Sequence, residues 1–191
     1  MINFLRKLRH ETFLKNFNFL WIKLGIFYRF LFIILGSPFS VKIKINELGP
    51  YKFDGYFAFS NFNVWGKKNN FYFTDFVNCC KNKKCILDVG AHIGLMSIPS
   101  SFYLNKSGKI FCFEPSKINK KYLIKHINLN KINNIEVYNY FVSNKNESKV
   151  TFYEKEIPSG LNSALILKNK KSFKNSVVET ITLDSFVNNK K

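Results

Sequence analysis

The 191-residue sequence is poor in arginine and in acidic residues. Only three of its 30 basic side chains are arginine, and 12 aspartate and glutamate residues leave a net charge of +18. Nucleic-acid and phosphate sites favour the bidentate arginine fork, so an excess made of lysine raises the isoelectric point without identifying a partner. With 46% hydrophobic and 17% aromatic residues, the chain is neither disordered nor a coiled coil, and its length suits one domain with an extension.

Zinc-binding and disulfide patterns are missing as well. The four cysteines, Cys79, Cys80, Cys85 and Cys112, form no C-x-x-C pair and have no histidine at zinc-finger spacing. We therefore predict no metal site, no disulfide framework and a reducing, cytoplasmic compartment. Cys85 and Cys112 lie in apolar, strand-like runs, where a free thiol behaves as a small hydrophobic side chain.

No long uninterrupted apolar run is present, although residues 1–36 are rich in phenylalanine, leucine and isoleucine. Lys23 and Arg29 interrupt the densest stretch, 19–36, whose longest clean run covers residues 30–35. A membrane-spanning helix needs about 20 predominantly apolar residues. No small-residue cleavage site follows the stretch, so we do not expect a removable signal peptide. Three interpretations stay open: a helix packed on the domain, a basic amphipathic helix on an anionic membrane surface, and a membrane-spanning helix.

Residues 1–40 form a basic, hydrophobic helical extension in this prediction. After them, the spacing of apolar residues along the chain changes. Alternating apolar and polar residues predict a β-hairpin from strands at 41–45 and 51–59, and a short helix at 71–77 leads into the core. The predicted parts of the chain are the extension at 1–40, the hairpin and helix at 41–84, and an α/β domain at 85–191.

The α/β part has the element order of a doubly wound parallel sheet. The predicted elements are strands at 85–89, 109–113 and 135–138, and helices at 95–104 and 117–129. The first strand is a short, largely apolar run, as expected for a strand buried on both faces. Ser116 is the expected N-cap of the second helix, and His126 is placed on the polar, exposed side of that helix. The alternation predicts a Rossmann-like α/β fold.

The loop after the first of these strands distinguishes two classes of cofactor site. A dinucleotide fingerprint has glycines at relative positions one, three and six, and counting from Gly90 the third and sixth positions do not fit. The acid-x-Gly-x-Gly-x-Gly pattern of S-adenosylmethionine sites is met by Asp88, Gly90 and Gly94, with His92 as the departure. Glycines let the backbone approach such a ligand closely. Glu114, at the end of the second strand, can accept hydrogen bonds from both ribose hydroxyls.

Seven segments in chain order resemble the FkbM-type methyltransferases. They are ILDVGAHIG (86–94), FEP (113–115), NLN (128–130), NIEV (134–137), VSN (142–144), GLNS (160–163) and TITLD (180–184). The resemblance covers about residues 85–186. It implies a class I, Rossmann-like methyltransferase fold and S-adenosylmethionine-dependent O-methylation, commonly of a hydroxyl on a sugar, glycan or secondary metabolite.

The resemblance also implies which residues bind the cofactor. They are Asp88, Gly90, Ala91, His92, Gly94, Glu114 and Ser143. The loop residues would line the methionyl end and Glu114 would hold the ribose, whereas Ser143 would lie near the adenine. The imidazole of His92 is either tolerated in the loop or in contact with a ligand. Pro99 is a second departure, because it removes a backbone donor inside the predicted helix at 95–104.

The domain is also short for this family, because little follows the TITLD segment. The expectation is therefore a C-terminally truncated domain, whose open sheet edge needs a partner to cover it. The general base is not identified, and three functions stay open. They are a small-molecule or glycan O-methyltransferase, a nucleic-acid methyltransferase, which the scarcity of arginine disfavours, and a non-catalytic membrane-surface remnant of a methyltransferase.

Overall fold

The computed structural model describes residues 16–67, 69–146, 148–164 and 173–190. The chain divides into two compact units, residues 1–69 and 70–191. The helical pattern of residues 1–15 lies outside the described residues. The three-part division made from the sequence stays a prediction.

The first unit contains a helix and a β-hairpin. Helix α1 (Asn18–Ile34) precedes the antiparallel strands β1 (Ser40–Ile45) and β2 (Leu48–Asp54). Residues of β1 alternate strictly between exposed and buried, and Ile45 and Phe53 are fully buried in the unit. This confirms the predicted hairpin of a half-buried sheet. Its second strand, however, covers residues 48–54 and not the predicted 51–59, because residues 55–57 form a 3-10 turn. Two short 3-10 turns follow, Gly55–Phe57 and Phe62–Val64.

Helix α1 packs on the rest of this unit through a narrow stripe. Gly25 and Phe32 are its buried residues. The hydroxyl of Tyr28 donates to the carbonyl oxygen of Gly55 at 2.7 Å, and the ring of Phe32 lies edge-on to that of Phe39. The residues 25, 28 and 32 recur at helical spacing, so one face is covered. Among the described helices, none is long and apolar enough to cross a bilayer.

The second unit carries the predicted strand–helix alternation. Its elements are α2 (Phe73–Cys79), β3 (Cys85–Val89), α3 (Ser97–Ser101), β4 (Lys109–Phe113), α4 (Lys117–Leu129) and β5 (Ile135–Tyr138). The three strands pair in parallel in the order β3-β4-β5. Ile110 and Cys112 of β4 pack against Leu123 of α4, and all three are fully buried. The three strands and helix α4 have the bounds that the sequence predicted.

Strand β3 is less buried than its apolar sequence predicts. Within the described residues it pairs with β4 alone and therefore lies at the edge of this sheet. Cys85 is exposed, and half of the Val89 surface is exposed. The predictions of a strand buried on both faces and of a buried Cys85 are therefore wrong, because composition does not tell an edge strand from a central one. Cys112, on the central strand, is buried as predicted.

Helix α3 is shorter than the predicted helix at 95–104. It covers five residues, Ser97–Ser101, and Pro99 is its third residue. The N–H groups of a first helical turn have no partner within the helix, so a proline is tolerated there. The short helix thus accommodates Pro99, while the residues before it form turns.

His126 was expected to be exposed, and this prediction is wrong. The side chain is fully buried, and its Nδ1 lies 2.9 Å from the carbonyl oxygen of Ile93. His126 is three residues after Leu123 and four after Tyr122, so it shares the core-facing side of α4. Its polarity suggested the solvent side, but its ring connects α4 to the loop after β3.

A second three-stranded sheet of this unit follows in the chain. It contains β6 (Phe141–Val142), β7 (Lys149–Glu154) and β8 (Lys174–Ile181), and helix α5 (Leu183–Asn188) comes after it. Strand β8 lies between the other two, parallel to β6 and antiparallel to β7. Phe186 of α5 packs edge-on against Phe113 and Tyr138, with ring centroids 4.8 and 4.9 Å away. These ring contacts attach α5 to the sheet formed by β3, β4 and β5.

Candidate cofactor-binding site

The loop between β3 and α3 is fastened to the end of β4. The backbone N–H groups of Gly90 and Ala91 donate to the carbonyl oxygen of Phe113, at 2.9 and 3.2 Å. Gly90, His92 and Gly94 have left-handed backbones, with φ of +77°, +53° and +92°. Glycine adopts this region freely, and histidine is among the few other residues enriched there. His92 therefore keeps the backbone shape that the glycine pattern requires.

The two glycines of the loop serve different purposes. A Cβ atom at Gly90 would meet nothing within 4 Å, so its backbone faces open space. A Cβ atom at Gly94 would lie 2.8 Å from the terminal methyl groups of Ile98 and Leu123. Gly90 thus leaves room for a ligand, whereas Gly94 permits close packing of α3 and α4 on the loop.

Asp88 at the end of β3 holds the start of α3. Its carboxylate accepts a hydrogen bond from the hydroxyl of Ser97, and the thiol of Cys112 donates to that hydroxyl at 3.2 Å. Burial raises the pKa of the Asp88 carboxyl, and the bond from Ser97 opposes this shift. The arrangement orients the loop through Ser97.

Glu114, just after β4, is a buried carboxylate shared between two loops. One oxygen, Oε2, accepts from the backbone N–H of His92 at 2.7 Å; the other accepts from the N–H of Ser116 at 2.9 Å. Only 4% of the residue is exposed. Burial raises its pKa, and the hydrogen bonds from Ser116, His92 and Asn119 oppose that shift. Glu114 is thus a fixed acceptor, not the solvated strand-end residue that an isolated glutamate usually is.

Asn119, in the first turn of α4, joins Glu114 to a second part of the chain. Its Nδ2 donates to the carbonyl oxygen of Ser159 at 3.0 Å and, over a longer 3.4 Å, to Oε1 of Glu114. Its Oδ1 accepts from the N–H of Ser159 at 3.1 Å. The hydroxyl of Ser116 accepts from the N–H of Asn119 at 3.3 Å, which confirms Ser116 as the N-cap.

A cavity of about 580 Å³ lies at the carboxyl ends of β3 and β4. Gly90, His92 and Glu114 form one part of its lining, together with Asn119. Residues 140–142 also line the cavity, as does the segment 159–164 apart from Leu161; we call residues 159–164 the wall segment. The cavity thus includes the loops that follow the parallel strands β3, β4 and β5, which is where α/β folds bind their ligands.

A sequence model described as the methyltransferase FkbM domain matches residues 88–191, more than half of the chain. The chain belongs to the FkbM methyltransferase family. This finding confirms the resemblance to S-adenosylmethionine-dependent methyltransferases of the FkbM type, and with it the class I, Rossmann-like fold. The comparison with curated proteins found no match.

Several solved structures are similar in fold to this FkbM-family chain. TYW2 of P. horikoshii in complex with MeSAdo is 18% identical, with a TM-score of 0.39; the match covers 56% of this chain and 50% of that one. TYW2 of M. jannaschii in complex with AdoMet is 22% identical, with a TM-score of 0.39 and coverage of 51% and 42%. A SAM-dependent methyltransferase from Aquifex aeolicus is 20% identical, with a TM-score of 0.33 and coverage of 42% of each chain. The chain thus spans at most half the length of these proteins.

The structure brings some of the predicted FkbM site residues to the cavity and places others around it. Gly90, His92 and Glu114 are among the lining residues. The other four are not among them. Asp88 binds Ser97, Ala91 is buried in the core, Gly94 packs against α3 and α4, and Ser143 follows the lining residue Val142. Ser143 is fixed by its own N–H, which donates to Ile181 of β8 at 2.9 Å.

The imidazole of His92 is the most unusual group of the cavity lining. Burial lowers its pKa to about 4, so the ring is neutral at pH 7. Its Nε2 is buried and has no hydrogen-bond partner within the described residues. The sequence indicated His92 as a departure from the glycine pattern, but only the fold shows that its ring is buried and neutral while its backbone N–H donates to Glu114.

Sequence reasoning assigned no role to Asn119 or to Asn162 of the wall segment. Asn162 Oδ1 accepts from the N–H of Lys155 at 3.1 Å, and its Nδ2 is buried without a partner in the described part of the chain. The neighbouring Ser163 exchanges two backbone hydrogen bonds with Tyr153 of β7, at 2.8 and 3.0 Å. The available signal was the GLNS segment at 160–163, a polar turn between apolar runs.

Proposed function

We propose that this chain binds S-adenosylmethionine in the cavity and transfers its methyl group to a hydroxyl of a sugar, glycan or secondary metabolite. The observation that carries the proposal is Glu114, a buried carboxylate in the cavity lining beside the open backbone of Gly90. Membership of the FkbM family supports the methyl-transfer chemistry. The hydroxyl acceptor is the finer part of the proposal.

The residues present fit such a cofactor. Each Glu114 oxygen accepts one backbone N–H, and Oε1 also receives the 3.4 Å contact from Asn119, so Oε2 keeps a further acceptor site for a ribose hydroxyl. Gly90 lets a ligand approach the backbone, because a Cβ atom there would occupy open space. His92 is neutral at pH 7, so it adds no positive charge next to a cationic sulfonium.

Bound S-adenosylmethionine supplies an electrophilic methyl group on its sulfonium. Methyl transfer is an in-line displacement, so the main task of the chain is to align the acceptor oxygen and exclude competing geometries. In our proposal Glu114 fixes the ribose, the loop after β3 holds the methionyl part, and the acceptor enters the cavity beside the wall segment. Asp88 contributes indirectly by orienting the loop through Ser97.

Calorimetric titration of the full chain with S-adenosylhomocysteine tests the cofactor assignment. We expect micromolar binding and no binding of NAD, because the loop lacks the dinucleotide glycine spacing. Transfer from methyl-labelled S-adenosylmethionine to a panel of glycosides and alcohols then tests the acceptor. A folded chain that binds neither ligand would support a non-catalytic remnant, and labelled transfer to RNA alone would contradict the hydroxyl proposal.

We further propose that α1 attaches the protein to an anionic membrane surface. Ten large apolar residues of this helix are exposed in the described structure, namely Phe19, Leu20, Ile22, Leu24, Ile26, Phe27, Phe30, Leu31, Ile33 and Ile34. Lys23 and Arg29 lie among them, and no acidic residue occurs between positions 12 and 46. An apolar surface with basic residues and no acidic ones fits an anionic bilayer interface.

The substitution of Ile26 and Phe30 by aspartate is expected to abolish sedimentation of the full chain with phosphatidylserine vesicles. These two side chains are exposed and lie one turn apart on α1. Burying each in the interface contributes about 1.5–3 kcal/mol, so even one substitution should weaken binding about tenfold or more. Aspartate at the exposed Val177 of β8 is the matched control. Equal sedimentation of the control and of the α1 variant would refute the surface proposal.

A further inference from the structure

Asn119 makes the contacts of a residue that positions others. It is 2% exposed, and both ends of its amide group are used. One N–H of Nδ2 points to the carbonyl oxygen of Ser159 and the other to Oε1 of Glu114, while Oδ1 receives the N–H of Ser159. A single buried side chain therefore contacts the proposed ribose carboxylate and the wall segment at once.

The wall segment depends on a few polar contacts for its position. Ser159 and Gly160 lie outside the described strands, and Gly160 and Leu161 are exposed. The two-point contact of Ser159 with Asn119 holds one end, and the backbone pair of Ser163 with Tyr153 holds the other. Removing the contact with Asn119 leaves the N–H and carbonyl groups of the half-buried Ser159 without these partners, which destabilises this position of the segment.

Glu114 has two oxygens whose environments differ. Oε2 accepts from the N–H of His92, and Oε1 accepts from the N–H of Ser116 and from Asn119. The two backbone donors fix the plane of the carboxylate, but Asn119 is the side chain that also connects Oε1 to the wall segment. The orientation that these donors impose on the carboxylate decides where the remaining acceptor site of Oε2 is directed for a ribose hydroxyl.

We propose that Asn119 is a positioning residue that sets ribose recognition, because it holds Glu114 and the wall segment in one arrangement around the sugar of the cofactor. The inference rests on the proposed binding of an S-adenosyl ligand. The ribose role of Glu114 belongs to the proposed function; the inference adds that Asn119, through its contacts with Glu114 and Ser159, sets how the sugar is recognised.

The test compares S-adenosylhomocysteine with its 2′,3′-dideoxy analogue, which lacks both ribose hydroxyls. In the unmodified chain, we expect the analogue to bind about 100-fold more weakly, because the hydrogen bonding of the ribose to a charged group is lost. In Asn119→Leu, this ratio should fall below about tenfold, since the carboxylate and the wall segment are no longer held together. Asn128→Leu, an exposed position on the same helix, should keep the original ratio.

A second variant keeps the test decisive if Asn119→Leu fails to fold. Asn119→Asp retains an oxygen for the N–H of Ser159 but loses both N–H donors, so it should also reduce the ratio. If either folded variant weakens both ligands by the same factor, Asn119 has a merely structural role and the inference is wrong. A folded variant that keeps the affinity ratio of the unmodified chain also contradicts the inference. An unmodified chain that binds neither ligand contradicts the proposed function, and this inference with it.

Discussion

Replacing Glu114 by glutamine is expected to weaken the binding of S-adenosylhomocysteine by about 100-fold or more, because each lost hydrogen bond to a charged acceptor contributes about 1.5–3 kcal/mol. In the structure, N–H groups of His92 and Ser116 point at the two carboxylate oxygens. A glutamine must direct its own NH₂ group at one of these donors. The substitution therefore disturbs the carboxylate site itself as well as removing an acceptor for the ribose.

Calorimetry of Glu114→Gln beside Glu154→Gln makes this measurement specific. Glu154 is also a buried carboxylate, and its Oε2 accepts from the hydroxyl of Ser116 at 2.8 Å, but it is not among the residues that line the cavity. A glutamine oxygen can replace it in that contact, so affinity should change less than about twofold. If both variants lose affinity equally, the effect comes from the buried network around Ser116, and the ribose assignment of Glu114 fails.

The second large effect is expected at Gly94. Replacement by alanine should lower the free energy of unfolding by about 2–4 kcal/mol, through a left-handed backbone and an overpacked core. The φ of +92° disfavours any L side chain, and the new Cβ atom would lie 2.8 Å from methyl groups of Ile98 and Leu123. Both neighbours are fully buried, so neither can move aside at low cost. Urea unfolding of the full chain measures the change.

Gly90→Ala is the matched comparison, since Gly90 also has a left-handed backbone. Its Cβ atom would enter open space, so we expect a smaller loss of stability, about 1–2 kcal/mol. Its larger effect should be on binding, because the added methyl group occupies space that the backbone leaves to the ligand. The reverse result, with the greater destabilisation at Gly90 and unchanged stability at Gly94, would contradict this division of roles between the two glycines.

Much of the fold could be predicted because its signals are local. The apolar runs that became β4 and β5, the helix after Ser116 and the glycine loop each depend on neighbouring residues in the sequence. The same holds for the hairpin, whose alternation sets its buried face. Local patterns could not place β3 at a sheet edge, since an edge strand and a central strand have similar compositions.

The candidate site shows the same division more sharply. Asp88, Gly90 and Glu114 could be selected from the sequence, because the loop and the strand end are each recognised from residues that are neighbours in the chain. Asn119 and Ser159, 40 positions apart, could not be paired, and nothing local marked their contact. The prediction that His126 is exposed failed for a related reason. Its buried ring contacts the carbonyl oxygen of Ile93, which lies 33 residues earlier in the chain.

The sequence by itself determined the family, the order of the elements and the acidic and glycine residues of the candidate cofactor loop. Only the tertiary structure decided how these residues are used. It buried Glu114 against two backbone N–H groups, directed Asp88 to Ser97 and kept the ring of His92 neutral. Hydrogen bonding and desolvation act between atoms that are close in space, and segments distant along the chain supply those atoms.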